Sequence, residues 1–349
     1  PMIVMAISVF VNVVIDPIFV RLDFFESEFY VGAFSLSVAT AGLLLGYDAW
    51  FGGSSSQRLS SGPPVRAIVP AYRDAAVVDE SVTSLLENEY DPLEIAVVVE
   101  PNDAATKRRA RELAAAHDRV TCLVNDDPGS KATAINCAVE RSDADHFVVF
   151  DADERASPEF VSAAMGELTS GTDVFQGRRV PRPTGPIETL AYCERVVVQA
   201  GYLISDLAGF THCQSSATGF TREAFDAVGG FADVLTEDIY FAHQCHRADL
   251  SVTADRHCTS SMEAPHTLGA LWGQRKRWRI GHVQVCDARI REVLRGPFGR
   301  SDLVTVGRAL GAVFAGGALL VLTAHILVLA LLDPIAALVP FGCIFGMIG

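Results

Sequence analysis

The chain has 349 residues, half of them hydrophobic, and a formal net charge of −14 at neutral pH. So acidic a molecule is a poor partner for a phosphate backbone, which argues against nucleic acid as its ligand. Its eight cysteines are scattered with no C-x-x-C pair, which argues against a disulfide framework and fits a reducing cytoplasm.

The apolar residues concentrate at the two ends. Met2 to Val20 is apolar apart from Ser8, Asn12 and Asp16, and Val31 to Gly46 is apolar or small throughout, so residues 1–50 read as a pair of transmembrane helices. A signal peptide would need a basic start and a cleavage site, and neither is present. Ala309 to Leu332 carries His325 as its only ionisable side chain and is long enough to span a bilayer; a further apolar segment follows Asp333-Pro334, so 303–349 reads as C-terminal transmembrane helices. The link from Arg21 to Tyr30 is net acidic, whereas Arg291, Arg295, Arg300 and Arg308 flank the C-terminal span. The positive-inside rule then makes this a multi-pass protein of the cell membrane with its middle section in the cytoplasm. Only three lysines, Lys107, Lys131 and Lys276, accompany the arginines. An acidic, lysine-poor surface reads as haloadaptation of the haloarchaeal kind, since salt screens self-repulsion.

Gly52 to Pro64, rich in Ser, Gly and Pro, reads as a linker. Strands and helices then alternate: strands over Val65 to Pro70, Leu93 to Glu100 and Val120 to Val124, and helices over Ala75 to Asn88, Ala104 to His117 and Ala132 to Arg141. A fourth strand begins at His146 and ends in Asp151-Ala152-Asp153. Such units predict an α/β domain over 64–267 with a largely parallel sheet, and in such sheets ligands bind at the carboxyl ends of the strands.

Asp151 and Asp153, two residues apart on an extended segment, share a face. Two carboxylates ending a buried strand need a cation or a hydrogen-bond network, and Mg²⁺ or Mn²⁺ shared with substrate phosphates would meet that need. Asp74 after the first strand, Glu100 ending the second and Asp103 beyond it fall on the same edge as candidates for a ribose or base. Lys131 stands at a predicted helix start, where backbone amides and a cation can both face phosphate. Beyond the aspartate pair, Pro158 to Leu168 reads as a helix and Val174 to Arg179 as a strand. Thr236-Glu237-Asp238 opens a helix running to about Ala248, where acids are ordinarily caps. His243, Cys245, His246, His257 and Cys258 match no common zinc spacing. The run from Gly273 to Gln284, with Trp272, Trp278, Ile280 and Val283 among many cations, suggests an amphipathic helix at a membrane surface, within an interfacial segment 268–300.

In this order and spacing the motifs resemble those of the membrane-bound family 2 glycosyltransferases, the group that includes cellulose, chitin and hyaluronan synthases and some glycolipid synthases. Val69-Pro70-Ala71-Tyr72 with Asp74 stands for the opening I-P-x-Y-N-E, and Lys131-Ala132 with Asn136 for K-A-x-x-x-N. Asp151-Ala152-Asp153 is the D-x-D. Arg222 to Phe225 with Val228-Gly229-Gly230-Phe231, Thr236-Glu237-Asp238, Glu263-Ala264-Pro265 and the Q-x-x-R-W of Gln274 to Trp278 follow. The resemblance covers Val65 to about Gln284 and implies a GT-A fold, a nucleotide-sugar donor (a UDP-sugar is the family's usual one) and an inverting displacement onto a hydroxyl of a membrane lipid, lipid-linked glycan or growing polysaccharide.

The same resemblance implies roles for the residues. Asp153 would hold the metal with Asp151 nearby, and Pro70, Tyr72, Asp74, Glu100, Lys131 and Asp151 would bind the donor. Asp238 would be the general base, with Glu237 and Arg277 completing the catalytic set and Arg275 a further cation. Gln274 and Trp278 would meet the acceptor. Glu100 departs from the family's usual Asp, and Ser215-Ser216 stands where many relatives have a glycine-containing pair lining the acceptor site. Two other readings compete. A non-catalytic membrane scaffold would not need Asp153, Asp238 and Arg277 together, and a metal-dependent nucleotidyltransferase would not call for T-E-D followed by Q-x-x-R-W.

Overall fold

The structure is a computed structural model and describes residues 57–207, 209–296, 299–314 and residue 331. The expected membrane helices in 1–50 lie outside these residues, as do 315–330 and 332–349. Among the described residues no helix is long and apolar enough to cross a membrane.

The chain divides into two compact units, and the site belongs to the one formed by Gly53–Arg195 with Ala208–Val285. Its first half alternates strand and helix: β1 (Ser61–Ala71), α1 (Val78–Leu86), β2 (Asp91–Val99), α2 (Ala104–Ala116), β3 (Val120–Val124), α3 (Lys131–Glu140) and β4 (His146–Val149). The second half is less regular: β5 (Arg155–Ala156), α4 (Phe160–Thr169), β6 (Val174–Pro181), α5 (Pro186–Leu207), β7 (Thr218–Thr221), α6 (Arg222–Val228), α7 (Glu237–Arg247), β8 (Val252–Met262) and α8 (Leu268–Arg295). The eight strands form one sheet in the order β3-β2-β1-β4-β7-β6-β8-β5.

β1, β2, β3 and β4 pair in parallel, as expected of strands that are apolar runs rather than alternations: Ala67, Ile68 and Val69 in β1 and Ile95, Ala96 and Val97 in β2 are all fully buried. The sheet is largely parallel, as expected, and its antiparallel pairs all involve the far half. β7 runs antiparallel between β4 and β6, and β5 runs antiparallel to β8, while β6 and β8 are parallel. The stretch taken for a linker is also shorter than expected, because Ser61 already pairs with Asp91 and the Tyr90 hydroxyl donates to the Pro63 carbonyl at 2.7 Å.

Order 3-2-1-4 places the topological switch point between β1 and β4. The chain moves outward in one direction through β2 and β3, then returns to the other side of β1. Loops leaving the carboxyl ends of β1 and β4 therefore diverge around a crevice. The tripeptides Tyr72-Arg73-Asp74 and Asp151-Ala152-Asp153 are those loops.

Two aromatic clusters fix the layers. Phe160 of α4 meets Phe150 and Phe175 edge-on, with ring centroids 4.8 and 5.7 Å away, and all three are fully buried. Phe220, Phe225, Phe231 and Phe241 form the second, in which Phe231 and Phe241 stack at 4.2 Å. Phe241 lies three residues after Asp238 on α7, so this cluster anchors the helix on which the proposed base sits.

The second unit includes Val196–Leu207 and the chain from Cys286 onward. Within it Arg289 is buried and bonds to Glu292 at 2.6 Å, and the Asp302 carboxylate accepts from the Gly299 amide at 3.0 Å at the start of the helix over 300–314.

Candidate active site

At the end of β1 the backbone turns on carboxylates. The Asp74 carboxylate accepts from the Tyr72 amide at 2.8 Å, and Asp103, the N-cap of α2, accepts from the Arg73 amide at 2.5 Å and the Thr106 amide at 3.2 Å. Arg73 has φ of +63°, a left-handed conformation that costs an L-residue about 1 kcal/mol or more and is held here by the Asp103 bond. Tyr72 is half exposed with the Arg73 guanidinium over its ring. Burial, then the charges of Asp151 and Asp103, push the Asp74 carboxyl above its ordinary range, against a bond from the Tyr72 amide that lowers it. Glu100 accepts from Asn125 at 2.9 Å, and Asn125, fully buried after β3, also donates to Thr133 of α3. Ser130 caps α3 by accepting from the Thr133 amide, which places Lys131 at the first helical position as the sequence predicts.

At the end of β4 the aspartates take different roles. Asp151 bonds through one carboxylate oxygen to Lys131 and through the other to the Arg179 guanidinium, the latter at 2.5 Å. Burial alone would raise its carboxyl, but Lys131 and Arg179 together hold it down at about 2. Asp153 has no such pair. Burial, Asp151 and Glu154 push it up to about 6. One of its oxygens accepts from the Glu263 amide of the E-A-P motif at 3.2 Å.

Those donors fit a divalent ion. Asp153 is a partly buried oxygen ligand short of positive charge, with no competing sulfur or imidazole at the same turn, which suits Mg²⁺ or Mn²⁺. Among the described residues no group of three or more His, Cys, Asp or Glu is arranged to hold a metal, so the remaining ligands would be substrate phosphates and water. Asp151, expected beside it as a ligand, has both oxygens committed to cations. The histidine and cysteine set has packing roles instead: His243 and His246 lie against Phe210, and the Cys258 thiol points to the Phe160 carbonyl.

Arg179, at the end of β6, is the residue the sequence reading missed. It bridges Asp151 and the completely buried Glu154. Ser216 then donates to Glu154 and accepts from the Asp151 amide at 2.8 Å. Ser215 donates to Glu237 at 2.7 Å. Both serines are buried, and the pair holds acids in place. Gln176 secures that segment, accepting from the Gln214 amide and donating to the carbonyls of Ser216 and Ala217.

The T-E-D helix completes the cluster. Asp238 lies in the first turn of α7; burial raises its carboxyl, while the Ile239 amide, Lys131, Arg179 and Arg195 pull the other way, and the net shift is upward. Glu237 is raised too, chiefly by burial, against the nearby Lys131. Two further motifs lock this helix in place. The Asn136 side chain donates to the Phe231 carbonyl and accepts from the Phe231 amide, both at 2.9 Å, and Phe231 stacks on Phe241. Gly230 has φ of +76°, and a Cβ there would fall 2.9 Å from Phe225 and 3.0 Å from Asn136, which is why the motif needs glycine.

Q-x-x-R-W lies on α8. Arg275, expected as a further cation, bonds to Glu194 at 2.5 Å and covers one face of Trp278 at 4.1 Å. Gln274 bonds to Arg275, Trp278 is half-buried, and Arg277 is exposed. No bond among the described residues ties these three to Asp151 or Asp153. Asp74, Lys131, Asp151, Asp153, Glu237 and Asp238, by contrast, interact with one another through direct bonds or charge.

A sheet with a switch-point crevice, and with acids and paired cations gathered at its carboxyl edge, defines an α/β domain with a polar ligand-binding edge. Residues 63–281 match the family model described as glycosyltransferase like family 2, and the chain belongs to that family. It is 24% identical over 229 residues to the poly-beta-1,6-N-acetyl-D-glucosamine synthase of Staphylococcus epidermidis, covering 62% of this chain and 54% of that protein. The enzyme of the same name from Staphylococcus aureus strain COL is 23% identical over the same shares. The chain thus spans about half the length of the curated relatives it matches. Among solved structures, a mannosyltransferase from Pyrobaculum calidifontis, determined with GDP-Man and Mn²⁺, superposes with a TM-score of 0.58 at 20% identity, covering 92% of this chain and 97% of that one. The likeness establishes the GT-A fold.

Proposed function

We propose that this chain is an inverting, divalent-metal-dependent transferase that moves a sugar from a nucleotide-sugar to a hydroxyl of a membrane-associated acceptor, with Asp238 as general base. The observation that carries this reading is a half-buried Asp238, its carboxyl raised, on the same charged edge as Lys131 and Arg179, whose charges reach it while both pair with Asp151. Each group has a task. Asp238 takes the acceptor proton as the hydroxyl attacks the anomeric carbon, and its raised carboxyl makes it a better base than an exposed aspartate. Lys131 stands at the N-terminus of α3, where helix dipole and ammonium both favour the diphosphate that departs. Asp74 and Glu100 hold the nucleoside. Asp153 would hold the ion, which when bound offsets the charge of the leaving diphosphate.

The membrane side of the proposal rests on α8. Leu268, Trp272, Ile280 and Val283 are all exposed on that helix, with Lys276 and Arg279 also exposed among them. Apolar and basic side chains at this spacing suit the interface of an anionic bilayer. A polysaccharide acceptor is favoured by the similarity to the staphylococcal synthases, and a lipid-linked acceptor by the apolar ends of the chain.

The test is nucleoside diphosphate release by the full chain in nanodiscs at high salt, across a panel of nucleotide sugars with lipid extract. Release from one donor is expected, lost on chelation and restored by Mn²⁺ or Mg²⁺. Product sizing would separate single addition from polymerisation. Pyrophosphate as product would support a nucleotidyltransferase, and nucleotide binding without turnover across the whole panel would support a scaffold.

A further inference from the structure

The threonine of T-E-D stands at the N-cap of α7 without capping it. Thr236 makes no side-chain cap bond, and its hydroxyl oxygen is buried with no hydrogen-bond partner among the described residues. N-cap side chains ordinarily fix the first turn of a helix. Here the turn is held from outside. The Leu235 amide donates to the Gln284 side-chain oxygen at 3.1 Å, and the backbone of Gly281 lies against Thr236 so closely that a Cβ would fall 2.3 Å from its methyl and 2.6 Å from its hydroxyl. Gly281 and Gln284 are three residues apart on α8 and share a face. Gln274 and Trp278 lie one to two turns earlier on that same helix.

We infer that Gly281 and Gln284 are positioning residues: through them α8, the helix that carries Q-x-x-R-W, sets where the base-bearing first turn of α7 stands. A single rigid helix then fixes both the proposed acceptor residues and the seat of Asp238, so acceptor and base keep their spacing when the helix moves. The inference rests on Asp238 being the base, and its test separates the two.

Four variants in the nucleoside diphosphate release assay suffice: Gln284→Leu, Gln284→Glu, Gly281→Ala and Asp238→Asn. Gln284 is exposed and acts only as an acceptor toward Leu235, so glutamate keeps the bond and leucine removes it. Gln284→Leu is expected to lower kcat about tenfold with donor KM unchanged, the scale of one lost hydrogen bond. Gln284→Glu should stay near the native rate. Gly281→Ala must push the helix off Thr236, and a displacement of that order lowers kcat roughly 100-fold. Nucleotide affinity, measured by calorimetry, should remain native in all of them. If Gln284→Leu leaves kcat unchanged while Asp238→Asn is inactive, the positioning role is overturned and the base assignment stands. A leucine variant that weakens donor KM as much as kcat, or a glutamate variant no better than leucine, overturns it equally. An active Asp238→Asn enzyme would instead remove the base on which the inference rests.

Discussion

Asp238→Asn is expected to lower kcat by about 10²- to 10⁴-fold while leaving nucleotide affinity intact, the span that loss of a positioned general base produces. Asparagine has the same shape and retains the oxygen that accepts from the Ile239 amide at 2.8 Å, so α7 should start as before. What it cannot do is take a proton. The pH dependence gives a second signature. Burial raises the Asp238 carboxyl above the ordinary value of 3.8, so the native rate should fall on the acid side with a midpoint above the usual carboxylate range, and the residual rate of the variant should lack that limb. Glu237→Gln provides the contrast, because glutamine keeps the oxygen that accepts from Ser215 at 2.7 Å and the acid limb set by Asp238 should persist in that variant. Steady-state rates across pH, with calorimetric binding of nucleoside diphosphate as the control for folding, decide between them.

The largest effect on stability is expected from Arg179→Met. Glu154 is completely buried and bonded to the Arg179 guanidinium, which also holds Asp151. Removing one partner of a buried ion pair leaves a charge with no water and costs about 3–5 kcal/mol. Replacing Glu154 with glutamine in the same chain should recover most of that loss, since an amide has no charge to strand. Urea unfolding of the two variants measures both. Asp151 adds a pH term whose sign follows from its shift. Its carboxyl lies near 2 in the folded protein against 3.8 for the ordinary group, so its ion pairs contribute stability above about pH 4 and that contribution disappears as pH falls through 3.8 toward 2. The acid-side loss should be much smaller once Arg179 is gone.

The half of the fold that was legible in the sequence is the half built from apolar runs. β1, β2 and β4 each contain an apolar run (Ala67 to Val69, Ile95 to Val99, Phe147 to Val149) followed within five residues by an acid, and both the parallel pairing and the functional edge follow from that pattern. β7 and β8 were not legible for the opposite reason. Thr218 to Thr221 is four residues with a glycine, and Val252 to Met262 contains Asp, Arg, His, Thr and Ser in no alternation, so tertiary pairing rather than local pattern makes them strands. α5 begins at Pro186 with Glu188 in its first turn, a start signal that the sequence reading passed over. Most of the site was read from the spacing of its motifs. Arg179 was not, because one arginine at the end of a strand resembles any solvated charge; only the fold shows that Glu154, two strands away, needs it. Asn136 and Gly230 could be matched to motifs but not explained. The reason is the reciprocal bond between the Asn136 amide and the Phe231 backbone, which joins residues 95 positions apart.

The proposed reaction is an inverting transfer from a nucleotide-sugar bound at the β1–β4 crevice, with Asp238 as base. The most direct measurement is the anomeric configuration of the bond formed, read by proton NMR on the product made by the native chain from the donor that supports nucleoside diphosphate release. A single displacement by a base-activated hydroxyl predicts a product of configuration opposite to that of the donor. A product that retains the donor's configuration would contradict this reading, because it requires either a covalent intermediate or attack from the side of the leaving group, and neither is the single back-side displacement in which Asp238 takes the acceptor proton.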